Sequence, residues 1–403
     1  MRVVANGEVA PGFAAVADAF DGQLPTLDGG AAVCVYHRGR PVVDIWGGDR
    51  DRDGTPWRRD DMTMAFSTTK GVAATALHTC VDRGLLDYDD TVATHWPEFA
   101  QNGKAEVTVR QVLCHESGLH DVVSLLDTPQ QLLDWDAMVE ALARAQPAFE
   151  PGTVSAYHAL TFGFLVGELV RRTAGVMIGD VVQRDLAEPL GLDGAYIGLP
   201  ADEMPRIVPL FAADRSGGDG DVGMDGGGPA QRLAALVGPA AEAGIDLRPD
   251  VIEQALGSTA VAAVTNTPEL LAGSVPAING CFTARSLARM YAALAAGGTL
   301  DGVQVLSSET LARATATQSD RRDLVIVMRQ FWRLGYHRVY TTAGSVRTGF
   351  GHNGYGGSGA WADPSRNLSC AMTLSALSGA LVNDARFATV GGAAVQAADR
   401  LAD

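Results

Sequence analysis

Lysine is almost missing from this chain of 403 residues. Only Lys70 and Lys104 occur among its 31 basic residues, so the other 29 are arginines. Positive charge as a whole is also scarce, because 47 acidic residues leave a net charge of −16 at pH 7. Nucleic-acid binding needs a basic stripe that faces the phosphates. We therefore expect no nucleic-acid partner.

Cysteine motifs and long apolar runs are absent as well. The five cysteines lie far apart without a C-x-x-C pair, which argues against a disulfide framework and against a zinc site. The segment 1–20 lacks a basic stretch followed by an apolar core, and no run approaches the ~18 apolar residues of a membrane span. We expect a cytoplasmic protein with reduced thiols that contacts no membrane and uses no metal and no cofactor.

Apolar patterning predicts strands near both ends of the chain and helices between them. Runs rich in β-branched residues predict strands at 31–36 and 41–46, paired as a β-hairpin, and at 335–341 and 368–374. Apolar residues at helical spacing predict the helices 69–83, 109–115, 136–145, 161–173, 179–187, 283–296 and 384–401.

This order of elements predicts an α+β or α/β fold, in which an antiparallel sheet built from both chain termini is flanked by helices. A mostly helical domain is inserted between the two halves of the sheet domain. We assign residues 1–62 and 280–403 to the sheet domain and residues 63–279 to the helical domain. Within the helical domain we predict an irregular loop region at 200–278, whose Gly- and Asp-rich part at 214–229 shows no hydrophobic period.

Ser67 and Lys70 stand at the start of the predicted helix 69–83. Residues three apart share one face of a helix, and the free N–H groups at a helix N-terminus favour an oxyanion beside Ser67. A serine hydroxyl needs a proton acceptor before it can attack. A buried lysine can supply a neutral amine, whereas arginine cannot. Since this is one of only two lysines, we predict a nucleophile with its activator rather than a helix cap beside a solvated lysine.

Five short motifs follow one another along the chain. They are STTKG at 67–71, VLCHESGL at 112–119, EPGTVSAYHA at 150–159, PLGL at 189–192 and GHNG at 351–354. In this order they resemble the serine β-lactamase/penicillin-recognising superfamily, and most of all its carboxylesterase branch, the family VIII esterases related to class C β-lactamases. The resemblance spans roughly residues 12 to 400 and implies a β-lactamase/transpeptidase-like fold.

The resemblance also implies roles for further residues. Tyr157 is expected opposite Ser67 as the general base, with its pKa lowered by the Lys70 cation. The backbone N–H groups of Ser67 and Tyr355 are expected to form the oxyanion hole. His352, together with Asn353 and Gly354, is expected to replace the K-T-G motif of β-lactamases on the strand that edges the site. The surrounding glycines permit close approach of the backbone to a substrate, or form a turn.

Two departures from the β-lactamase pattern bear on the substrate. The tyrosine motif of β-lactamases is Y-x-N, and here Ala159 replaces the asparagine. His352 replaces the lysine of K-T-G, which helps to hold a β-lactam carboxylate. Both changes favour a serine carboxylesterase that acts on small or short-chain acyl esters, with weak or no β-lactamase activity. Two alternative functions stay open. One is an acyltransferase or a D-amino-acid amidase or peptidase, which would use the same acyl-enzyme, and the other is a catalytically inactive binding or structural homologue. The oligomeric state is also open, with a homodimer as one possibility.

Other candidate sites in the sequence are weaker. Residues 356–360 (GGSGA) miss the last glycine of the G-x-S-x-G elbow of α/β-hydrolases. His115 and Glu116 lack the second histidine of a metal-hydrolase motif. His115 and Ser117 form a possible second Ser/His pair, although the resemblance implies a structural turn there. Four aromatic residues are candidates for an acyl pocket or for the core, namely Trp135, Phe211, Trp332 and Trp361.

Overall fold

The fold was analysed in a computed structural model. The structure describes residues 5–24, 27, 29–212, 237–242, 244–378 and 384–402. The Gly- and Asp-rich segment predicted at 214–229 lies outside these residues. The architecture is a large antiparallel sheet with helices on both faces, as the sequence predicted.

Seven strands form the large sheet. In chain order they are β1 (Asn6–Val9), β2 (Gly30–His37), β3 (Arg40–Gly48), β4 (His337–Thr341), β5 (Gly344–Asn353), β6 (Gly359–Asp363) and β7 (Leu368–Leu374). Their spatial order is β1-β3-β2-β7-β6-β5-β4, and every neighbouring pair is antiparallel. The two ends of the chain meet where β2 pairs with β7, with Ala31 opposite Leu374.

Both faces of the sheet are buried, and alternation along β2 shows how. Val33 and Val35 belong to one hydrophobic core, whereas Cys34 and Tyr36 belong to another. Successive side chains of a strand point to opposite faces, so a strand buried on both sides is apolar at nearly every position. This explains the continuous apolar run in the sequence.

Nine helices of seven or more residues pack around the sheet within the described ranges. They are α1 (Ala14–Asp21), α2 (Thr68–Asp82), α3 (Trp135–Arg144), α4 (Thr161–Ala174), α5 (Pro249–Leu256), α6 (Ser258–Val264), α7 (Ala284–Ala295), α8 (Ser308–Thr315) and α9 (Ala385–Arg400). Helices α1 and α9 cover one face, while α7 and α2 cover the other and connect the sheet to the remaining helices.

Shorter elements complete the description. Short α-helices are Val92–His95, Val109–Leu113, Ile178–Val182, Glu188–Leu190, Val237–Glu242 and Pro268–Ala272, with a π-helix at Gln183–Ala187. Turns of 3-10 helix occur at Pro97–Ala100, Val123–Leu125, Pro129–Leu133, Ala201–Arg206 and Tyr355–Gly357. Short strand pairs involve Thr63–Met64, Ala195–Tyr196, Phe211–Ala212, Cys281–Phe282, Thr299–Leu300, Val303–Gln304 and Ala376–Leu377.

The prediction that 200–278 is an irregular loop region was wrong for its second half. Helices α5 and α6 and the short helix Pro268–Ala272 lie there. These helices are only five to eight residues long, and their end signals are local. Pro249 and Pro268 stand in the first helical turn, and Gly257 ends α5 in the left-handed conformation (φ 54°).

Two further sequence-based expectations concern the whole chain. The division into two domains stays a prediction. One hydrophobic core contains residues from both proposed domains, such as Tyr36 and Leu169. Among the residues described, no helix combines the length and apolar character needed to cross a bilayer. All five cysteines are buried free thiols.

Lys104 is fully buried, and its amine holds the end of α3. The Nζ donates to the carbonyl oxygens of Gln101 (3.0 Å), Ala143 (3.0 Å) and Ala145. The last carbonyls of a helix have no partner inside the helix, and a cation there is also favoured by the helix dipole. Lys104 is therefore a structural residue that satisfies three carbonyl acceptors, of which that of Ala143 is buried.

We expect Lys104→Met to lower the free energy of unfolding by about 2 kcal/mol, because three carbonyls, one of them buried, lose their donor. Lys104→Arg should also destabilise the protein, since a planar guanidinium cannot direct three N–H groups as an ammonium does. Urea unfolding measures both effects. A midpoint unchanged in Lys104→Met would contradict this role.

Candidate active site

Ser67 stands at the turn where α2 begins. The preceding residue, Phe66, has a φ of 43°, an uncommon conformation for an aromatic residue, and Ser67 itself is the N-cap of α2. The hydroxyl of Ser67 does not cap the helix. Its side chain is therefore available for contacts outside the helix, as a nucleophile requires.

Lys70 lies one turn further along α2, and its side chain is fully buried. The Nζ lies 2.9 Å from Ser67 Oγ, 2.7 Å from the carbonyl oxygen of Ala159 and 3.1 Å from that of Ala277. A carbonyl oxygen only accepts, so each takes one N–H. In the neutral amine these two bonds use both N–H groups and leave the lone pair for the Ser67 hydroxyl. Burial lowers the pKa of Lys70 well below its ordinary value, which favours that neutral form.

Tyr157 lies beside Ser67 and Lys70, as the resemblance implied. Its ring centroid is 4.9 Å from Lys70 Nζ, and the ring stacks on that of Trp332 at 5.8 Å with an interplanar angle of 4°. The expected lowering of its pKa is not found. Burial raises the pKa of Tyr157 strongly, and a hydrogen bond with the Ser67 side chain offsets this only in part. The physical reason is that burial also disfavours the charged form of Lys70, so no cation beside the phenol stabilises its deprotonated form.

The end of β5 reaches the same site. His352 is buried, its Nδ1 bonds to the carbonyl oxygen of Asn353 (2.8 Å), and its Nε2 has no partner among the described residues. Its ring lies 6.0 Å from that of Tyr157. Burial lowers the pKa of His352 well below its ordinary range, so the ring is neutral. His337 on β4 accepts the backbone N–H of Asn353 at 3.1 Å and fixes the strand end.

Gly354 brings the strand end close to the nucleophile. A Cβ at this position would lie 2.3 Å from the carbonyl oxygen of Ala65 and 2.2 Å from Ser358 Oγ, so only glycine fits. Ser358 donates to the same carbonyl of Ala65 at 2.9 Å. The turn after β5 is thus tied to the residues just before Ser67.

Tyr355 follows directly in that turn. Its side chain is 37% exposed, and its ring meets the ring of Phe66 edge-on at 5.5 Å. The residue therefore adjoins the nucleophile turn, where the resemblance placed it. Its part in an oxyanion hole stays a prediction.

Residue patterns alone also allowed the glycines at 349–359 to form a turn, and half of them do so, since Gly354, Gly356 and Gly357 lie between β5 and β6. The other three stand inside the strands. Glycine is needed here for packing. A Cβ at Gly351 would lie 2.2 Å from the carbonyl oxygen of Ala360, and one at Gly359 would lie 2.4 Å from the Phe387 ring. These glycines stand inside strands because neighbouring groups leave no room for a side chain.

The second Ser/His pair considered in the sequence does not form as proposed. Ser117 Oγ bonds to His158 Nε2 at 2.7 Å, not to His115. His115 has a φ of 59° and accepts the backbone N–H of His158 on its Nδ1 at 3.1 Å. The segment is therefore a structural turn, as the resemblance implied, and it supports the chain that carries Tyr157.

The four aromatic candidates separate in the structure. Trp332 is in the site, stacked on Tyr157. Trp361 belongs to the core under α1 and α9, Trp135 packs on Phe164, and Phe211 lies under the guanidinium of Arg52. Sequence reasoning missed one further residue, the buried Asp323, which accepts hydrogen bonds from both Tyr157 and Trp332. No motif or spacing in the sequence marked it.

The described residues contain no group of three His, Cys, Asp or Glu side chains arranged to hold a metal ion. The chemistry that the site offers is that of a serine hydroxyl, a neutral amine and a neutral phenol in mutual contact. Such a set suits proton transfer and nucleophilic attack on a carbonyl.

Comparison with known proteins agrees with this geometry. The family described as Beta-lactamase matches residues 25–392. The protein described as "Esterase/beta-lactamase LipL" of Mycobacterium tuberculosis is 39% identical over 382 residues, which cover 93% of this chain and 84% of that protein.

Solved structures give the same result. A family VIII carboxylesterase superposes with a TM-score of 0.83 at 32% identity, covering 98% of this chain and 99% of that one. A penicillin-binding protein homologue from Caulobacter crescentus gives a TM-score of 0.81 at 34% identity, with 98% and 99% covered. The chain therefore belongs to the β-lactamase family, and its esterase and carboxylesterase relatives identify it as a serine hydrolase.

Proposed function

We propose that this enzyme is a carboxylesterase that hydrolyses small or short-chain acyl esters through an acyl-enzyme at Ser67. The observation that carries the proposal is the 2.9 Å contact between Lys70 Nζ and Ser67 Oγ, made by an amine whose other two contacts are carbonyl oxygens. This arrangement supports transfer of the serine proton to the amine lone pair.

The reaction then runs in two halves. Lys70 takes the proton of Ser67 while Oγ attacks the ester carbonyl, and the oxyanion is held by backbone N–H groups at the start of α2 and at Tyr355. Collapse breaks the ester bond, and the departing alkoxide takes a proton that passes from the Lys70 ammonium through the Tyr157 phenol. Water attacks the acyl-enzyme by the same route and releases the acid.

These roles differ from the first expectation for Tyr157. Burial raises the pKa of Tyr157 and lowers that of Lys70, so the phenol stays protonated and the lysine is a neutral amine. We therefore assign the general base to Lys70 and the proton relay to Tyr157.

The substrate class follows from what the site lacks. Position 159 offers Lys70 a backbone carbonyl and has no side-chain amide that could hold the amide of a β-lactam. His352 is neutral, so it supplies no cation for a β-lactam carboxylate.

Hydrolysis rates for a p-nitrophenyl ester chain-length series, measured beside those for nitrocefin, test this substrate class. Faster turnover of nitrocefin than of any ester would overturn the proposal. The cytoplasmic location and a homodimeric state remain predictions.

We expect Ser67→Ala, Lys70→Arg and Tyr157→Phe each to lower kcat roughly a thousandfold, with non-additive combinations. Arginine cannot give up its proton, so Lys70→Arg removes the base and places a fixed positive charge where the wild type has a neutral amine. Lys104→Arg is the matched control, and its turnover per folded molecule should equal that of the wild type. A fluorophosphonate probe should label the wild type at Ser67. Near wild-type rates in Lys70→Arg, or no labelling of folded wild type, would contradict the scheme.

The pH dependence of kcat/KM should show the lowered pKa of Lys70. Below that pKa the amine is protonated and has no lone pair, so activity falls about tenfold per pH unit as pH decreases. The rise to a plateau should be complete well below pH 10.5, the ordinary value for lysine. Rates corrected with Ser67→Ala exclude spontaneous hydrolysis, and the folded fraction is followed at each pH. A midpoint at the ordinary lysine value would refute a neutral Lys70.

A further inference from the structure

The segment that carries Tyr157 has no regular secondary structure between α3 and α4. Its backbone must therefore be held by other contacts. On one side His115 accepts the backbone N–H of Ala156 on its carbonyl oxygen (3.0 Å) and that of His158 on Nδ1 (3.1 Å). The anchor on the other side is Asp323.

Asp323 is completely buried, and its carboxylate accepts hydrogen bonds from two parts of the chain. In the tyrosine segment the donors are Ser155 Oγ (2.8 Å) and the backbone N–H of Tyr157 (3.1 Å). In its own loop they are the backbone N–H groups of Val325 (2.9 Å) and Ile326 (3.0 Å). The backbone N–H of Leu324 also donates to the carbonyl of Ser155, so the two segments are joined at several points.

The same carboxylate reaches the indole on which the phenol rests. Trp332 Nε1 lies 3.4 Å from Asp323 Oδ2, a long hydrogen bond. The Trp332 ring stacks on Tyr157 almost in parallel. Asp323 thus contacts both the backbone of Tyr157 and the Trp332 indole on which the Tyr157 ring stacks.

No lysine or arginine nitrogen of the described chain lies within 4.0 Å of this carboxylate. A buried charge without a counter-ion is costly, and neutral hydrogen-bond donors offset that cost. An apolar residue would leave these donors without an acceptor, and an asparagine would offer one accepting oxygen instead of two. The carboxylate therefore joins the two segments by accepting hydrogen bonds from both of them.

We propose that Asp323 is a positioning residue that holds Tyr157 against Ser67 and Lys70 for proton transfer. The inference rests on the proposed function, because it concerns the step that Tyr157 performs there. Its charge acts in the same direction as its geometry. Burial raises the pKa of Tyr157, the hydrogen bond with Ser67 lowers it, and the Asp323 carboxylate raises it again, which keeps the relay proton on the phenol.

Other groups around the phenol do not replace this effect. Lys70 faces the ring from α2, His115 from the turn after helix 109–113 and His352 from β5. Burial lowers the pKa of all three, so each is driven toward its neutral form. His158 and His337 stand behind them, with pKa values lowered to about 3 and about 4.

A double-mutant cycle with Asp323→Asn and Tyr157→Phe tests the proposal. Asparagine keeps one oxygen for the three backbone N–H groups, but its NH₂ group opposes the indole N–H of Trp332. In the wild-type background we expect kcat to fall roughly tenfold to a hundredfold with little change in KM. In the Tyr157→Phe background, Asp323→Asn should change kcat by less than about twofold, since the proton relay is already lost. The rate of Ser67 labelling by a fluorophosphonate gives a second readout.

Asp363→Asn is the matched control, because Asp363 is equally buried but lies at the end of β6 with Thr348, Ser365 and Arg366 as partners. It should affect both backgrounds equally. If Asp323→Asn does not fold, Ser155→Ala, which removes one of the donors that tie the tyrosine segment to the carboxylate, enters the cycle instead. Equal losses in both backgrounds would overturn the positioning role alone. A wild type without ester turnover or Ser67 labelling would overturn the proposed function and this inference with it.

Discussion

Three oxygen atoms around one buried amine hold this site together. Lys70 Nζ joins the nucleophile on its own helix, the carbonyl of Ala159 behind Tyr157 and the carbonyl of Ala277 before the strand Cys281–Phe282. These segments are far apart in sequence and meet at one nitrogen. The contacts explain both why lysine is tolerated in the core and why it is neutral there, because carbonyls satisfy its N–H groups without compensating a charge.

The near absence of lysine acquires a wider meaning from the structure. Scarcity predicts a neutral amine at Lys70, but Lys104 is also buried and also contacts three oxygens. A lysine nitrogen makes three contacts in tetrahedral directions, whereas the donors of a guanidinium lie in one plane. Lysine scarcity therefore marks two buried amines, one in the site and one that ends a helix. It does not by itself distinguish catalysis from structure.

Much of the fold was predictable because its signals are local. The hairpin β2–β3, the strand Leu368–Leu374 and the helices α2, α4, α7 and α9 follow from apolar period and from end signals such as Gly175. Ser67, Lys70 and Tyr157 were found through motifs. Asp323 was not, since a single acid in an irregular loop has no pattern and its importance comes from donors that folding brings to it. The pKa of Tyr157 was misjudged for the same reason, because burial is not written in the local sequence.

The pairing of β2 with β7 has a consequence for how the enzyme is made. Ala31 faces Leu374 across the sheet, and α1 packs on α9, so the first and last parts of the chain complete one core together. Contacts between residues so distant in sequence form slowly, because a long loop must close first. During synthesis β2 leaves the ribosome long before its partner β7 has been made. The N-terminal hairpin β2–β3 therefore has an unpaired apolar edge until β7 has been synthesised. We expect chaperones to protect this edge during translation.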